Sequence, residues 1–152
     1  MLNDDDLNRY ARQVIIPNFD EDGQEKLLKA KCLIVGAGGL GCPVIDYLSR
    51  AGVGTIGIAD NDKVNISNIH RQSLFGLKDV GKFKADIIKK KIKLINSDSK
   101  IITFKKKITK KNIFKIIKNF EIIVDGSDNF KTKFLLNKYS IKYKKILIVG
   151  AI

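Results

Sequence analysis

The stretch Cys32-Leu33-Ile34-Val35-Gly36-Ala37-Gly38-Gly39-Leu40-Gly41 constrains this chain more than any other. It reads as a buried strand running into a glycine-rich turn that opens a helix. Gly36 permits the tight turn, Gly38 and its neighbour Gly39 let the backbone approach a phosphate with no Cβ in the way, and Gly41 lets the helix pack closely. The unpaired N–H groups and positive end of that helix then face an anion. A G-x-G-x-x-G pattern is weak by itself. Here it has a strand before it, a helix after it and a second strand, Gly54 to Ala59, that ends at an acid, Asp60. That acid stands at about the 20-residue spacing of a ribose-binding carboxylate. Gly36, Gly38, Gly39, Gly41 and Asp60 are therefore expected to hold a nucleotide.

The chain has 152 residues, of which 44% are hydrophobic and 30% charged, suiting a globular α/β domain with a real core. We divide it into an N-terminal helical segment, 1–30, and a Rossmann-like domain, 31–152. No run of about 18 apolar residues is present, so no membrane association is expected. The start, Met1-Leu2-Asn3-Asp4-Asp5-Asp6, lacks an apolar leader region, and a cytoplasmic protein is the expectation. Cys32 and Cys42 form no C-x-x-C pair and read as buried packing residues. The net charge of +13 comes from 29 Lys and Arg against 16 Asp and Glu. The lysines spread over helix faces without the aromatic interleaving that stacks bases, so a solvated basic surface is expected rather than a nucleic-acid footprint.

Hydrophobic periodicity places helices at Asp4–Arg12, Asp22–Ala30, Leu40–Ala51, Val80–Ile95 and Phe130–Tyr143, with a further helix capped by Thr109 and ending at Asn119. Strands fall at Lys31–Val35, Gly54–Ala59, Ile101–Phe104, Glu121–Val124 and Ile146–Val149. The alternation predicts a doubly wound, mainly parallel sheet with helices on both faces. Ligands of such sheets sit at the carboxyl ends of the strands, where Asp60, Asp125, the Gly126–Asn129 turn and Gly150 should gather.

A nicotinamide-dependent oxidoreductase is the default reading of the glycine turn. Three features stand against it: the polar Asn68-Ile69-His70-Arg71-Gln72 after the second strand, the lysines of Val80-Gly81-Lys82-Phe83-Lys84, and Asp125-Gly126-Ser127-Asp128-Asn129 at a strand end. Together they supply cations for a triphosphate and an acid for Mg²⁺.

These segments, with Arg9-Tyr10-Ala11-Arg12-Gln13, Gly23-Gln24-Glu25-Lys26-Leu27 and Ala51-Gly52-Val53-Gly54, resemble in order the N-terminal part of the MoeB/ThiF/HesA adenylyltransferases, relatives of the ubiquitin-activating enzymes. The resemblance implies an ATP- and Mg²⁺-dependent enzyme that adenylates the C-terminal Gly-Gly carboxylate of a small ubiquitin-like sulfur carrier protein, for thiamine or molybdopterin synthesis. It implies that Asp60 holds the ribose, that Asn68, Arg71 and Lys84 contact the phosphates, that Gln72 positions the nucleotide and that Asp128 binds Mg²⁺. Arg12 resembles an arginine that reaches into the neighbouring subunit's site, which implies a homodimer. Family members continue past the strand matching Ile146–Val149, with two C-x-x-C zinc pairs and a further cysteine. Relative to them the chain is C-terminally truncated, with one edge of its sheet uncovered. A non-catalytic nucleotide-binding fragment or subunit of the same superfamily is the remaining alternative.

Overall fold

The computed structural model describes residues 2–150; Met1 lies outside them, as do Ala151 and Ile152, the last two residues of the expected 31–152 domain. Five parallel strands form one sheet in the order β3-β2-β1-β4-β5: β1 Lys31–Val35, β2 Thr55–Ala59, β3 Lys100–Phe104, β4 Ile122–Asp125 and β5 Ile146–Val149. Before the sheet come α1, Asp4–Val14, and α2, Asp20–Lys29; the crossovers carry α3 Gly41–Arg50, α4 Lys84–Ile95, α5 Ile113–Ile117 and α6 Phe130–Lys142. The doubly wound parallel α/β architecture expected from the alternation is the one observed.

The central strand shows why. In β1 every residue after Lys31 is buried, as in a strand covered on both faces. Cys32 and Ile34 join a core with Ile45 of α3, Ile56 and Ile58 of β2 and Ile88 and Ile92 of α4. Leu33 and Val35 point the other way, into a core with Ile113, Ile116 and Ile117 of α5, Ile123 of β4 and Leu136 of α6. Gly57 in β2 leaves room in that second core: a Cβ there would lie 2.4 Å from the Phe120 ring. Phe120 is 1% exposed and takes the space the glycine leaves.

The two N-terminal helices are tied to the end of α3 by the buried amides of Gln24 and Asn96 and the half-buried one of Gln13. Gln24 Nε2 donates to the Ala51 carbonyl at 3.0 Å, and Gln13 Nε2 donates to Gln24 Oε1 at 2.5 Å. Asn96 Nδ2 donates to the Tyr10 hydroxyl at 3.1 Å and to the Ser49 carbonyl at 3.0 Å. Gly52 takes φ +91°, and a Cβ on it would lie 2.6 Å from Gln24 Nε2, so the helical segment closes directly on this turn.

Several boundaries differ from the expected ones. α4 begins at Lys84 rather than Val80, because Gly81 takes φ +83° and Phe83 bridges antiparallel to Lys63. Residues Leu77–Asp79 form a separate 3₁₀ turn. Thr109 does not cap a helix: its N–H is bound by Asn112 Oδ1 at 2.8 Å, and α5 starts only at Ile113. β4 runs over Ile122–Asp125, one residue later at each end than the expected Glu121–Val124.

Among the described residues β5 is an edge strand, and its Ile146, Ile148 and Val149 are each more than half exposed. Phe130 and Phe134, one turn apart on the adjoining α6, are likewise exposed. No helix of the described residues is long and apolar enough to cross a membrane.

Candidate functional site

The strand order reverses direction between β1 and β4, so their following loops part and leave a crevice at the carboxyl end of the sheet. A cleft of about 1000 Å³ opens there. One wall is the turn from Gly36 to Leu40. Gly36 takes φ +89°, and a Cβ on it would lie 2.8 Å from the Gly126 carbonyl oxygen. A Cβ on Gly41 would lie 1.9 Å from the Gly36 carbonyl oxygen, so these two glycines are required by the turn itself. Gly38 and Gly39 differ. A Cβ on Gly38 would meet only Gln72 Nε2, at 3.9 Å, and one on Gly39 would approach Arg71 Nη1 at 3.4 Å. Their backbone is bare towards the cleft, beside the start of α3, where Pro43 has no N–H and the Cys42 and Val44 N–H groups donate to the Gly38 and Leu40 carbonyls at 2.9 and 3.4 Å.

Asp60, directly after β2, braces the turn. Its Oδ2 accepts the Ala37 N–H at 2.7 Å and its Oδ1 accepts the Asp62 N–H at 2.7 Å. Burial pushes its pKa above the ordinary 3.8, against the pull of those two N–H groups and of Lys84. Each carboxylate oxygen has a second lone pair, so a ribose hydroxyl can still be received.

The segment 65–72 folds back over the glycine turn. Asn68 ends a 3₁₀ turn begun at Ile66, and its Oδ1 accepts the Asn65 N–H at 3.1 Å. Arg71 is exposed at the cleft and its guanidinium reaches Gly39. Gln72 is 2% exposed, and its Oε1 has no hydrogen-bond partner. Lys84 is buried at the start of α4 and points into the cleft, with its Nζ 3.5 Å from Asp62 Oδ2. Across from these cations, Asp128 is exposed in the turn between β4 and α6, and it pairs with no described residue.

The structure thus brings Gly36, Gly38, Gly39, Asp60, Asn68, Arg71, Gln72, Lys84 and Asp128 to one cleft, with Gly41 supporting the turn from behind. Gly41 itself is not on the walls, nor is Asp125, nor Arg12, which the resemblance places in a neighbouring subunit's site. Arg12 lies exposed near the end of α1 and does not line the cleft. Asp125 also stays behind the wall, fully buried. Its Oδ1 accepts the Ser127 N–H at 2.9 Å and the Ser127 hydroxyl at 2.6 Å, so its carboxylate is not offered to a metal. No group of three or more His, Cys, Asp or Glu placed to hold a metal exists among the described residues. Sequence reasoning passed over Lys63, Lys106, Lys107 and Lys133, which also line the cleft. For Lys133 the available signal was its place one turn after Asn129, the cap of α6.

These features define a Rossmann-like α/β protein whose glycine turn faces a cationic cleft at the topological switch point. The chain belongs to the ThiF family, whose model matches residues 10–152. A sulfur carrier protein adenylyltransferase from Thermus thermophilus is 40% identical over 148 residues, 97% of this chain and 55% of that protein. The adenylyltransferase and sulfurtransferase MOCS3 of Dictyostelium discoideum is 43% identical over 150 residues, 99% of this chain and 35% of its own length. Against these and similar curated relatives the chain spans between about a third and about half of their length. Among solved structures, E. coli TcdA in complex with ATP superposes with a TM-score of 0.91 at 24% identity, over 98% of this chain and 61% of that one, a likeness of fold. E. coli MccB with AMPCPP and MccA gives a TM-score of 0.75 at 32% identity, over 84% of this chain and 38% of that one.

Proposed function

We propose that this chain is the nucleotide-binding part of an ATP-dependent adenylyltransferase that activates the C-terminal glycine carboxylate of a ubiquitin-like sulfur carrier protein. The observation that carries this reading is the joining, in one cleft, of a bare glycine turn, two cations that face it and a lone carboxylate opposite them. Relatives 40% and 43% identical, named as adenylyltransferases, support it.

The residues fit the nucleotide. The Gly38–Gly39 backbone would take phosphate oxygens, Asp60 the ribose hydroxyls, and Arg71, Lys84 and Asn68 the outer phosphates. Gln72, with an unpaired buried carbonyl and an amide nitrogen beside Gly38, would position the nucleotide. They also fit Mg²⁺. Asp128 offers one free hard oxygen donor, and a Mg²⁺ held by one carboxylate takes its other ligands from phosphates and water. Bound there, the metal supplies neutralisation of phosphate charge.

The reaction is a displacement at phosphorus. A carboxylate oxygen of the carrier bonds to the α-phosphorus, the bond to the bridging oxygen of the β-phosphate breaks, and pyrophosphate leaves with that electron pair. The carboxylate is already a nucleophile, so no base is needed. The chain's own part is positioning and the stabilisation of charge that grows on the leaving phosphates, by Arg71 and Lys84. Because Arg12 does not line the cleft of its own chain, its proposed role is in the site of a second copy in a homodimer.

The test is ATP–pyrophosphate exchange with the purified chain, adding thiamine- and molybdopterin-branch carriers in turn. Exchange that needs one carrier and disappears in Arg71→Ala supports the adenylyltransferase reading and names the branch. ATP binding with no exchange leaves a nucleotide-binding subunit, and tighter binding of NAD than of ATP returns the oxidoreductase reading.

A further inference from the structure

Asp128 is a lone carboxylate, and a lone ligand depends on what holds its backbone still. The residue before it, Ser127, is bound through its N–H and hydroxyl to Asp125 Oδ1. The residue after it, Asn129, caps α6 by accepting the Thr132 N–H at 3.0 Å. One residue joins both anchors. Lys133 donates its backbone N–H to the Asn129 carbonyl at 3.2 Å, while its Nζ lies 3.3 Å from the other oxygen of Asp125. The same Nζ donates to the Gly150 carbonyl at 2.8 Å, at the end of β5. Asp125 is fully buried, and Lys133 is the one cation paired with it among the described residues.

We propose that Lys133 is a positioning residue: it locks Asp125, Asn129 and Gly150 into a frame that presents Asp128 to the cleft as a Mg²⁺ ligand. The proposal rests on the reading of Asp128 given above. Asp125 holds Ser127 by two hydrogen bonds to one carboxylate oxygen, and Lys133 holds the other oxygen in place. Without the ammonium group, Asp125 is a buried carboxylate with one oxygen no longer held, one anchor of the turn weakens and Asp128 loses its fixed place. Groups that orient metal ligands in this way are typically worth about 10- to 100-fold in metal affinity.

The experiment is the affinity of the full chain for ATP, by titration calorimetry, in Mg²⁺ and in EDTA. The ratio of the two constants is the gain due to the metal. Asp128→Asn is the control and should abolish that gain. Lys133→Met should cut the gain about tenfold and leave binding in EDTA within about twofold, and Lys133→Arg should restore it. Should Lys133→Met fold poorly because Asp125 is left as a buried charge, the pair Asp125→Asn with Lys133→Met removes that charge and should show the same selective loss.

A full gain in the Lys133→Met or paired variant, with Asp128→Asn still losing it, overturns the role of Lys133 alone. Equal weakening in Mg²⁺ and EDTA overturns it as well, since that marks general support of the fold. A full gain in Asp128→Asn overturns the metal assignment itself and the proposal with it.

Discussion

Asp60 and Ala37 are joined by a 2.7 Å hydrogen bond that fastens the glycine turn after β1 to the end of β2. The same carboxylate is the proposed ribose ligand, so one side chain shapes the turn and meets the nucleotide. Its pKa lies above 3.8 because burial penalises the charge more than its two N–H partners and Lys84 favour it. The raised value gives folding stability that is fully present below the ordinary aspartate pKa and is lost as pH rises through the folded one. Binding runs in the opposite sense, since the ionised form is the better acceptor. We expect ATP affinity to fall as pH drops through the folded pKa of Asp60, with that acid limb missing in Asp60→Asn. Affinity profiles of the two proteins that coincide would show that Asp60 does not meet the nucleotide.

Two glycines in one turn should respond differently to the same methyl group. Gly41→Ala places a Cβ 1.9 Å from the Gly36 carbonyl and should destabilise the fold by about 2 kcal/mol, seen as a lowered Tm. Gly38→Ala meets only a side-chain nitrogen at 3.9 Å and should keep its Tm while ATP affinity falls about tenfold. Equal Tm losses would show that both glycines serve the turn alone.

Arg71→Ala removes an exposed guanidinium at the cleft. Its Tm should be unchanged and its ATP affinity about ten- to a hundredfold weaker, the scale of a charged hydrogen bond or two. Lys84→Met should weaken ATP binding similarly. Its stability should hold or rise, because Lys84 is 5% exposed and its Asp62 partner is 3.5 Å away and largely solvated. AMP, which lacks the outer phosphates, should bind both variants nearly as it binds the parent. A loss of AMP affinity equal to that of ATP would move both residues off the phosphates.

Burial pushes both thiols, Cys32 and Cys42, up to about 11. At about pH 8 the thiolate fraction is then roughly one in a thousand, and the sulfurs lie within the core beside β1 and α3. Intact mass after iodoacetamide should show no adduct on the folded protein and two after denaturation. Rapid labelling of the folded chain would mean that one sulfur reaches solvent.

The sheet was legible because its strands are largely apolar and all but β3 end at glycine or acid. Ile146–Val149 and Lys31–Val35 fall where the pattern places them. The start of α4 was not, because Val80 and Phe83 continue the helical spacing of Ile87 and Ile88 while Gly81 bends the backbone out of it. Around Thr109 a local choice between Thr and Asn as the turn-forming side chain went to Asn112. In the site, residues offered to a ligand were readable as polar groups in an ordered pattern. Asp125 and Lys133 were not, since their work is internal and depends on a helix turn and a strand end that meet only after folding. Arg12 marks a different limit, a residue whose place in the pattern is not a place in its own chain's cleft.

The position of β1 bears on the order of assembly. As the first strand of the chain it becomes the middle of the sheet, and its Val35 pairs with Ala59 on one side and with Asp125 on the other. The nearer pairing closes a short loop, whereas the farther one waits until most of the chain is available. Loop closure over such separations is what slows folding in parallel sheets. The half built from β1, β2 and β3 can therefore form while one flank of β1 is still open. The cleft, which needs the β4–α6 turn packed against the glycine turn, is completed last.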